Sequence, residues 1–323
     1  MNIAIDLGKR MSYVVIEDDD KVVKEGYVET NKESFQEFFG NVNKPKIIVE
    51  ASSTLNWIAN MFDGYDIMVA HPAKVRLIAQ SVKKTDKIDA HTVMDLYKKD
   101  YLPKSHLPSK EVREARDLCR DRSLIVRQRV AMINKIKYHA FCIGIKVKCL
   151  GKKTMNALAK EPKLELLIKQ LENTEGIIKT YNERIEEIVK NGDSRISHYA
   201  RLIDTIPGFG SHSSFIIAAE IDDINRFPDE FRLFSYAGVV PRIYQSGDKE
   251  WKGHITKSNT FLKTTLLQCA NIHVMRGKNS VVTYWYDNNK YRIGKKKAKI
   301  AAVKRLLRII YWMLKRDEEY HDR

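Results

Sequence analysis

The sequence predicts an α/β domain with a mixed sheet in the first third of the chain and a mainly helical remainder. Three short runs rich in β-branched residues lie within residues 2–29, and the apolar periodicity then alternates between helix and strand up to residue 82. From residue 109 onward, long stretches almost free of glycine and proline show helical periodicity. With 323 residues, the chain is long enough for two or three domains, each with its own core.

The first domain is expected to begin with three strands and to continue with alternating helices and strands. Residues 2–7 and 11–17 have the pattern of a hairpin, and a third strand follows at Lys21–Glu29. A helix is predicted after Asn31, a residue type that caps helices. Further strands are predicted at Lys46–Glu50 and Asp66–Ala70, and further helices at Thr54–Phe62, Pro72–Val82 and Asp86–Tyr97.

The remainder of the chain is expected to consist of basic and amphipathic helices. Helices are predicted at Ser109–Phe141, Pro162–Lys190, Thr260–Gly277 and Lys290–Lys315, with an irregular basic patch at Lys146–Lys153 and a loop at Asp222–Phe234. Near-heptad apolar spacing within Leu164–Ile188 indicates either an intramolecular hairpin or a dimer contact, and we favour the dimer. Leu202–Ile221 resembles a helix–hairpin–helix, whose Pro-Gly-x-Gly turn is either a phosphate contact or a tight packing turn.

The charge balance indicates a polyanionic partner. Lys and Arg number 57 against 41 Asp and Glu, a formal net charge of +16 that makes nucleic acid the first candidate. No apolar run approaches the roughly 20 residues of a membrane-spanning helix and no signal peptide precedes the first strand, so we expect a cytoplasmic protein without a membrane partner. The four cysteines lack CxxC spacing, which argues against a zinc site or a disulfide framework.

Four carboxylates are the candidate metal ligands. Asp86 and Asp89 lie three residues apart at the start of a predicted helix, so they share one helix face. Asp6 follows an apolar run and Glu50 ends a buried-type strand; ligands in open α/β sheets bind at the carboxyl ends of strands. Each acid alone is more often a helix cap or a solvated residue. Their combination predicts a site for two Mg²⁺ ions, with Mn²⁺ as the alternative.

A serine is the candidate nucleophile for phosphodiester chemistry. Ser246 precedes a glycine and lies near Arg242 and Lys249, whose cations suit the negative charge of a pentavalent phosphorus. A Ser-Gly pair is more often a turn, and Ser258 is the second candidate. The candidate nucleic-acid contacts are Lys84, Arg113, Arg116, Arg120, Arg127, Lys146, Lys148, Gly208, Gly210, Arg242, Lys249, Lys257, Lys295, Lys296 and Lys297.

Several strings of residues carry a family resemblance. Lys84-Thr-Asp-Lys-Ile-Asp-Ala contains the third and fourth acids, and Ile206-Pro-Gly-Phe-Gly, Ala237-Gly-Val-Val-Pro and Gln245-Ser-Gly follow downstream. With Asp6 and Glu50, the chain resembles the DEDD-type transposases of insertion sequences, relatives of the Piv-type invertases that are described as bridge-RNA-guided recombinases. One departure is visible, because the family's Ser-Ser-Gly is Gln-Ser-Gly here. Ser246 remains the expected nucleophile, and Ser258 stays open.

The resemblance implies four segments with different functions along the chain. A RuvC-like (RNase H-type) nuclease domain is expected at residues 1–107, a long basic helix and coiled-coil dimerisation segment at 108–192, a serine-containing transposase domain at 193–290 and a basic helix at 291–323. A structured bridge RNA is expected to pair with donor and target DNA, in a homodimer or homotetramer associated with the prokaryotic nucleoid.

The predicted function is RNA-guided cutting and rejoining of DNA through a serine–DNA covalent intermediate, assisted by the metal site of Asp6, Glu50, Asp86 and Asp89. One alternative is a RuvC-like nuclease that acts on branched DNA without a covalent intermediate. The other is a non-catalytic protein that binds nucleic acid through its basic helices only.

Overall fold

Two units make up the chain, with the division between Arg113 and Glu114. The computed structural model describes residues 1–321 except 41, 43–44, 53, 79–84, 242, 247–248, 254–257 and 278–279. The first unit contains a mixed sheet with helices, and the described part of the second unit is mostly helical. This confirms the predicted mixed α/β first part and the mainly helical remainder.

Six strands of the first unit form one sheet in the order β3-β2-β1-β4-β5-β6. They are β1 (Asn2–Asp6), β2 (Met11–Asp18), β3 (Lys21–Glu29), β4 (Lys46–Glu50), β5 (Asp66–Ala70) and β6 (Lys104–Ser105). Strands β1, β4 and β5 are parallel, whereas β2 and β3 extend the sheet by antiparallel pairing and β6 pairs antiparallel with β5. The five longer strands agree with the sequence prediction, and the two-residue β6 was not predicted.

Helices cover both faces of this sheet. They are α1 (Lys32–Phe39), α2 (Leu55–Met61), α3 (Pro72–Ile78) and α4 (Asp86–Lys98). Successive side chains of β1 alternate between the faces: Ile3 and Ile5 pack with Phe35 of α1, whereas Ala4 packs with Val75 of α3 and Val93 of α4. The sheet therefore has one face under α1 and α2 and the other under α3 and α4.

The second unit is built on long helices. Its elements are α5 (Lys110–Cys142, which begins in the first unit), α6 (Lys152–Leu158), α7 (Pro162–Asn191), α8 (Arg195–Asp204), α9 (Ser211–Ile221), a 3-10 helix (Ile224–Arg226), α10 (Glu230–Ala237), α11 (Thr260–Arg276), α12 (Val281–Asn289), α13 (Lys295–Arg316) and a hairpin of β7 (Ile243–Ser246) and β8 (Lys249–Lys252). None of the described helices combines the length and the apolar character that crossing a bilayer requires.

Two of the sequence-predicted boundaries are wrong. The predicted loop at Asp222–Phe234 contains the 3-10 helix and the start of α10, because the side chains of Asp223 and Asp229 cap these helices. The last helix begins at Lys295, five residues later than the predicted Lys290, since Gly294 adopts a φ of +84° and ends the preceding turn.

The apolar seam of α7 packs within its own chain. Leu164, Ile168 and Leu171 are buried in one cluster with Ile136 and Ala140 of α5. Further along, Arg122 Nε donates to Asn182 Oδ1 (2.7 Å), and Arg129 Nε donates to Glu175 Oε1 (3.0 Å). Residue numbers rise along α5 as they fall along α7, so the helices form an antiparallel hairpin. This packing supports the hairpin alternative for the first part of the seam, and the dimer contact and the oligomeric state stay predictions.

Candidate active site and nucleic-acid interface

Asp6 and Glu50 end two neighbouring parallel strands. β1 and β4 pair in register, with Ala4 opposite Ile48, so Asp6 and Glu50 each lie two residues further along. Ala4 and Ile48 both belong to the cluster under α3 and α4. Because every second side chain of a strand points to the same face, Asp6 and Glu50 share that face. Both residues are half-buried.

The first turn of α4 carries the other two acids over the same part of the sheet. Asp86 is exposed and Asp89 is half-buried. The next residue, Ala90, is buried in a cluster with Tyr13 of β2, and Tyr13 is paired in register with Asp6. The start of α4 therefore lies at the strand end that carries Asp6.

A cap and a side-chain cluster fix the start of α4. The Thr85 hydroxyl accepts a hydrogen bond from the Ile88 N–H (3.2 Å), as an N-cap does. Glu25 of β3 accepts hydrogen bonds from Lys87 and from His91 Nε2, the latter at 2.6 Å. The hydrogen bonds from Lys87 and then His91 lower the pKa of Glu25. These contacts attach the first two turns of α4 to the sheet.

The four acids lie on the same side of the sheet, near the carboxyl ends of β1 and β4. They do not form a closed cluster. Within the described residues, no three His, Cys, Asp or Glu side chains are grouped closely enough to hold a metal ion. Carboxylates without a cation between them repel one another, and carboxylate oxygens are ligands that Mg²⁺ accepts. The donor chemistry and the common face fit a divalent cation, and the four-acid metal site stays a prediction.

Three arginines on α5 donate hydrogen bonds to groups of their own chain. Arg113 is buried and donates to the Pro108 carbonyl (2.7 Å) and to Asn60 Oδ1. Arg116 donates to the carbonyls of Ala219 (2.9 Å) and Glu220 (3.1 Å). Arg120 donates to the Glu220 carboxylate at 2.6 Å. Arg113 is therefore inaccessible to a phosphate, whereas Arg120 is exposed beside its carboxylate partner, and the phosphate contacts of Arg116 and Arg120 stay predictions.

The buried Glu220 joins the end of α9 to the start of α11. Its side chain is 2% exposed and accepts hydrogen bonds from Arg120 (2.6 Å) and Asn259 Nδ2 (2.7 Å). Its backbone carbonyl accepts from the Tyr236 hydroxyl (3.1 Å). Asn259 in turn caps α11 and directly follows Ser258. No sequence pattern predicted this cluster, which holds the residue after Ser258 in place.

The two candidate serines lie in different local structures. Ser246 ends β7 and is opposite Lys249 of β8 in the hairpin register. Ser258 is half-buried, and its carbonyl accepts a hydrogen bond from the Thr260 hydroxyl at 3.4 Å. Three predicted contacts, Lys84, Arg242 and Lys257, lie outside the described residues.

The Pro-Gly-x-Gly turn is a packing turn. Gly208 adopts a φ of +89°, and a Cβ there would lie 2.7 Å from the backbone nitrogen of His273 and 2.9 Å from its Cα. The His273 ring bridges Pro207 O (2.6 Å) and Ser280 Oγ (2.8 Å). The N–H of Gly210 donates to Ser213 Oγ (3.0 Å). Of the two alternatives left open by the sequence, the structure supports packing against α11.

The remaining predicted cations are accessible. Lys146 and Lys148 lie between α5 and α6, and the first turn of α13 carries three consecutive lysines. Besides Arg120, which is paired with Glu220, the exposed members of the predicted set are Arg127, Lys146, Lys148, Lys295, Lys296 and Lys297. These side chains are free to meet a nucleic-acid backbone, which carries one negative charge per phosphate.

An α/β sheet with acids at the ends of two parallel strands and on an adjoining helix is consistent with a RuvC-like DEDD domain. A DEDD transposase family model of the IS110 type matches residues 3–140. A second model, described as the transposase IS116/IS110/IS902 family, matches residues 200–286. The chain belongs to the IS110-type DEDD transposases of insertion sequences. It is thus a DNA transposase, and domains of this type typically use divalent metal ions.

Known transposases resemble the chain over most of its length. The transposase for insertion sequence element IS1111A of Coxiella burnetii is 24% identical over 292 residues, which cover 85% of this chain and 79% of that protein. The transposase for insertion sequence element IS1328 of Yersinia enterocolitica is 28% identical over 225 residues, 66% of this chain and 65% of that protein. A probable family 20 transposase of Pseudomonas aeruginosa is 27% identical over 270 residues, 76% and 78% of the two chains.

Proposed function

We propose that this transposase cuts and rejoins DNA at a divalent-metal site formed by Asp6, Glu50, Asp86 and Asp89, with Ser246 as the nucleophile and a structured RNA as the guide. The observation that supports the metal site most strongly is the common sheet face. Asp6 and Glu50 end adjacent parallel strands on the face under α4, and Asp89 lies in the first turn of that helix. Charged carboxylates placed together in this way are stabilised by a shared cation.

The carboxylates would hold the divalent cation, whereas the serine would form and break covalent bonds to the DNA. A bound divalent cation neutralises phosphate charge and orients the reacting oxygens. The Ser246 Oγ forms a bond to the scissile phosphorus, the bond from phosphorus to the leaving sugar oxygen breaks, and the serine proton passes to that oxygen. A hydroxyl of a second DNA end then attacks the phosphoserine ester and releases the serine. The number of phosphodiester bonds is unchanged, so no nucleotide cofactor is required.

The guide RNA is the part of the proposal that rests on the family resemblance together with the exposed cations. Lys146, Lys148 and the three lysines at the start of α13 contact backbones without choosing between RNA and DNA. We expect recombination of donor and target DNA to require the RNA encoded by the element. Equal recombination by protein that has been freed of all RNA would contradict this part of the proposal.

Conservative substitution of the acids tests the metal site. Asp6→Asn, Glu50→Gln and Asp89→Asn keep the size of each side chain and remove its charge. Each is expected to lower the rate of Mg²⁺-dependent DNA strand transfer at least about 100-fold, because charge stabilisation at a phosphoryl centre is lost. Asp95→Asn, on an exposed position of the same helix, is the matched control and is expected to react at the wild-type rate. Wild-type rates for Asp6→Asn and Glu50→Gln would contradict the site.

A second candidate function is a RuvC-like nuclease that acts on branched DNA without a covalent intermediate. All four acids belong to the first unit and Ser246 to the second, which favours a nuclease centre complete without the serine. For this function, Ser246→Ala is expected to leave DNA cutting unchanged. Asp6→Asn, Glu50→Gln and Asp89→Asn are then expected to abolish DNA cutting, which Ser246→Ala does not affect.

A further inference from the structure

A cavity of about 340 Å³ opens in the second unit between α12, α13 and the residues that follow α13. Part of its wall is apolar, with Val282, Ile309, Trp312 and Met313, and three arginines of α13 also line it. Binding sites for small molecules measure about 300–1,000 Å³. The cavity therefore suits one small, flat group and is too small for a duplex.

Trp312 is a fixed and accessible ring in this wall. Its side chain is 45% exposed. The indole Nε1 donates to Glu230 Oε2 (3.2 Å), and the Arg316 guanidinium lies 5.0 Å from the ring centroid. An indole that is held in place while one part stays accessible loses little entropy when a second ring stacks on it.

A second cavity of about 180 Å³ adjoins the first and is lined by Lys304, Arg305 and Arg308. Arg305 and Arg308 line both cavities. Arg308 is paired with Glu230 at 2.6 Å. Arg305 stacks 3.7 Å over the ring of Trp285 and has no carboxylate partner among the described residues. Burial, and then the charge of Arg308, lower the pKa of Arg305. An anion in the second cavity would relieve this repulsion.

We propose that the two cavities together bind one unpaired nucleotide of a single strand, with its base on Trp312 and its phosphate among Lys304, Arg305 and Arg308. Glu318 and Glu319 also line the larger cavity. Their carboxylates disfavour a phosphate at that end and accept hydrogen bonds from the amino groups of bases. The charges thus fix the orientation. A base inside a duplex is already stacked and paired, so only an unpaired nucleotide of RNA or DNA fits. This inference rests on the proposed nucleic-acid chemistry and adds a base-binding site to it.

Matched strands with and without bases test the site. Binding of the full chain to a short single strand is compared, by fluorescence anisotropy, with binding to its abasic counterpart of equal charge, in RNA and DNA versions. Trp312→Ala is expected to weaken binding of the strand with bases about tenfold and to leave the abasic strand unchanged, since stacking of one base is lost. Trp312→Phe, which keeps a ring, is expected to retain most of the affinity.

The arginines provide the complementary comparison. Arg305→Ala is expected to weaken the binding of the strand with bases and of the abasic strand alike, because it removes a partner of the phosphate. Arg184→Ala, which removes an equal charge from an exposed position of α7, is the control. It is expected to weaken the binding of either strand by about twofold at most, since an exposed charge contributes little. The version, RNA or DNA, that shows the larger Trp312→Ala effect identifies the source of the nucleotide.

Failure of this site differs from failure of the proposed function. Unchanged affinities in Trp312→Ala, or equal losses for the strands with and without bases, overturn the nucleotide site while strand transfer by the wild-type protein continues. A wild-type protein that binds neither single strands nor duplex overturns both.

Discussion

The arginines of α5 have two different roles that depend on their neighbours. A guanidinium carries five donors and is able to satisfy several carbonyls at a helix end. Arg116 does this at the end of α9, whereas Arg127 is exposed. Val112, Ala115 and Cys119 are buried, and they directly precede Arg113, Arg116 and Arg120. This apolar stripe at helical spacing indicates that this side of α5 packs against the rest of the chain.

His212, at the start of α9, makes the stability of the protein depend on pH. Its Nε2 is buried and has no hydrogen-bond partner among the described residues. Burial, and then the charge of Arg122, lower the pKa of His212 from 6.5 to about 4. His212 therefore becomes protonated below pH 6.5 in the unfolded chain, but only near pH 4 in the folded protein. The contribution of His212 to stability is complete above pH 6.5 and is lost as the pH falls through this window.

We predict that the free energy of unfolding falls by about 2 kcal/mol between pH 7.5 and pH 5 through His212 alone. Urea unfolding at the two pH values measures this loss. His212→Gln, which does not titrate, is expected to lose about 2 kcal/mol less than the wild type over the same interval. An equal pH dependence in His212→Gln and the wild type would contradict the assignment.

At the scale of elements, the contact between the α8–α9 turn and α11 is set by one glycine. We predict that Gly208→Ala destabilises the protein by about 3 kcal/mol, because the new Cβ meets backbone atoms of His273 and the φ of +89° is strained for alanine. Gly210→Ala is the matched control, since a Cβ there meets nothing within 4 Å, and it is expected to change stability by less than about 0.5 kcal/mol. Chemical unfolding measures both. Similar small effects of the two substitutions would show that Gly208 does not pack as described.

The sequence predicted the elements with strong periodicity and missed the short ones. The five longer strands and α5, α7 and α11 follow from apolar periodicity, because each buries a regular stripe or face. The short α6 has only seven residues, of which Met155 and Leu158 are buried, so its periodicity is too brief to detect. α10 was missed because the aspartates before it are common in loops as well as in caps.

The site was predictable where strand geometry determines it. A strand end places Asp6 and Glu50 on one face, and this follows from register and alternation alone. The cluster of Arg120, Glu220 and Asn259 was not predictable, because its members are far apart in sequence and no periodicity relates them. The role proposed for Ser246 rests on its motif alone, since a serine at the end of a hairpin strand has no chemical distinction of its own.

For the whole molecule, the net charge of +16 predicts binding that depends steeply on salt. Logarithmic plots of affinity against salt concentration are expected to be linear and steep for DNA and RNA. The triple variant Lys295→Ala, Lys296→Ala, Lys297→Ala should reduce the slope by about 2, because each lost phosphate contact removes about 0.7–0.9. Glu33→Ala, an exposed change outside the predicted surface, should leave the slope unchanged. A triple variant with the wild-type slope would exclude the start of α13 from the interface.

The measurement that tests the central claim most directly is the trapping of covalent protein–DNA adducts. End-labelled DNA is incubated with the protein, the guide RNA and Mg²⁺, and adducts that survive SDS are separated on a gel. We predict adducts for the wild type and for Ser258→Ala, none for Ser246→Ala, and a strong reduction for Asp89→Asn, with RNA binding intact in all four proteins. Adducts that persist in Ser246→Ala and disappear in Ser258→Ala would assign the chemistry to the other serine, and recombination by both variants without any adduct would contradict the covalent mechanism.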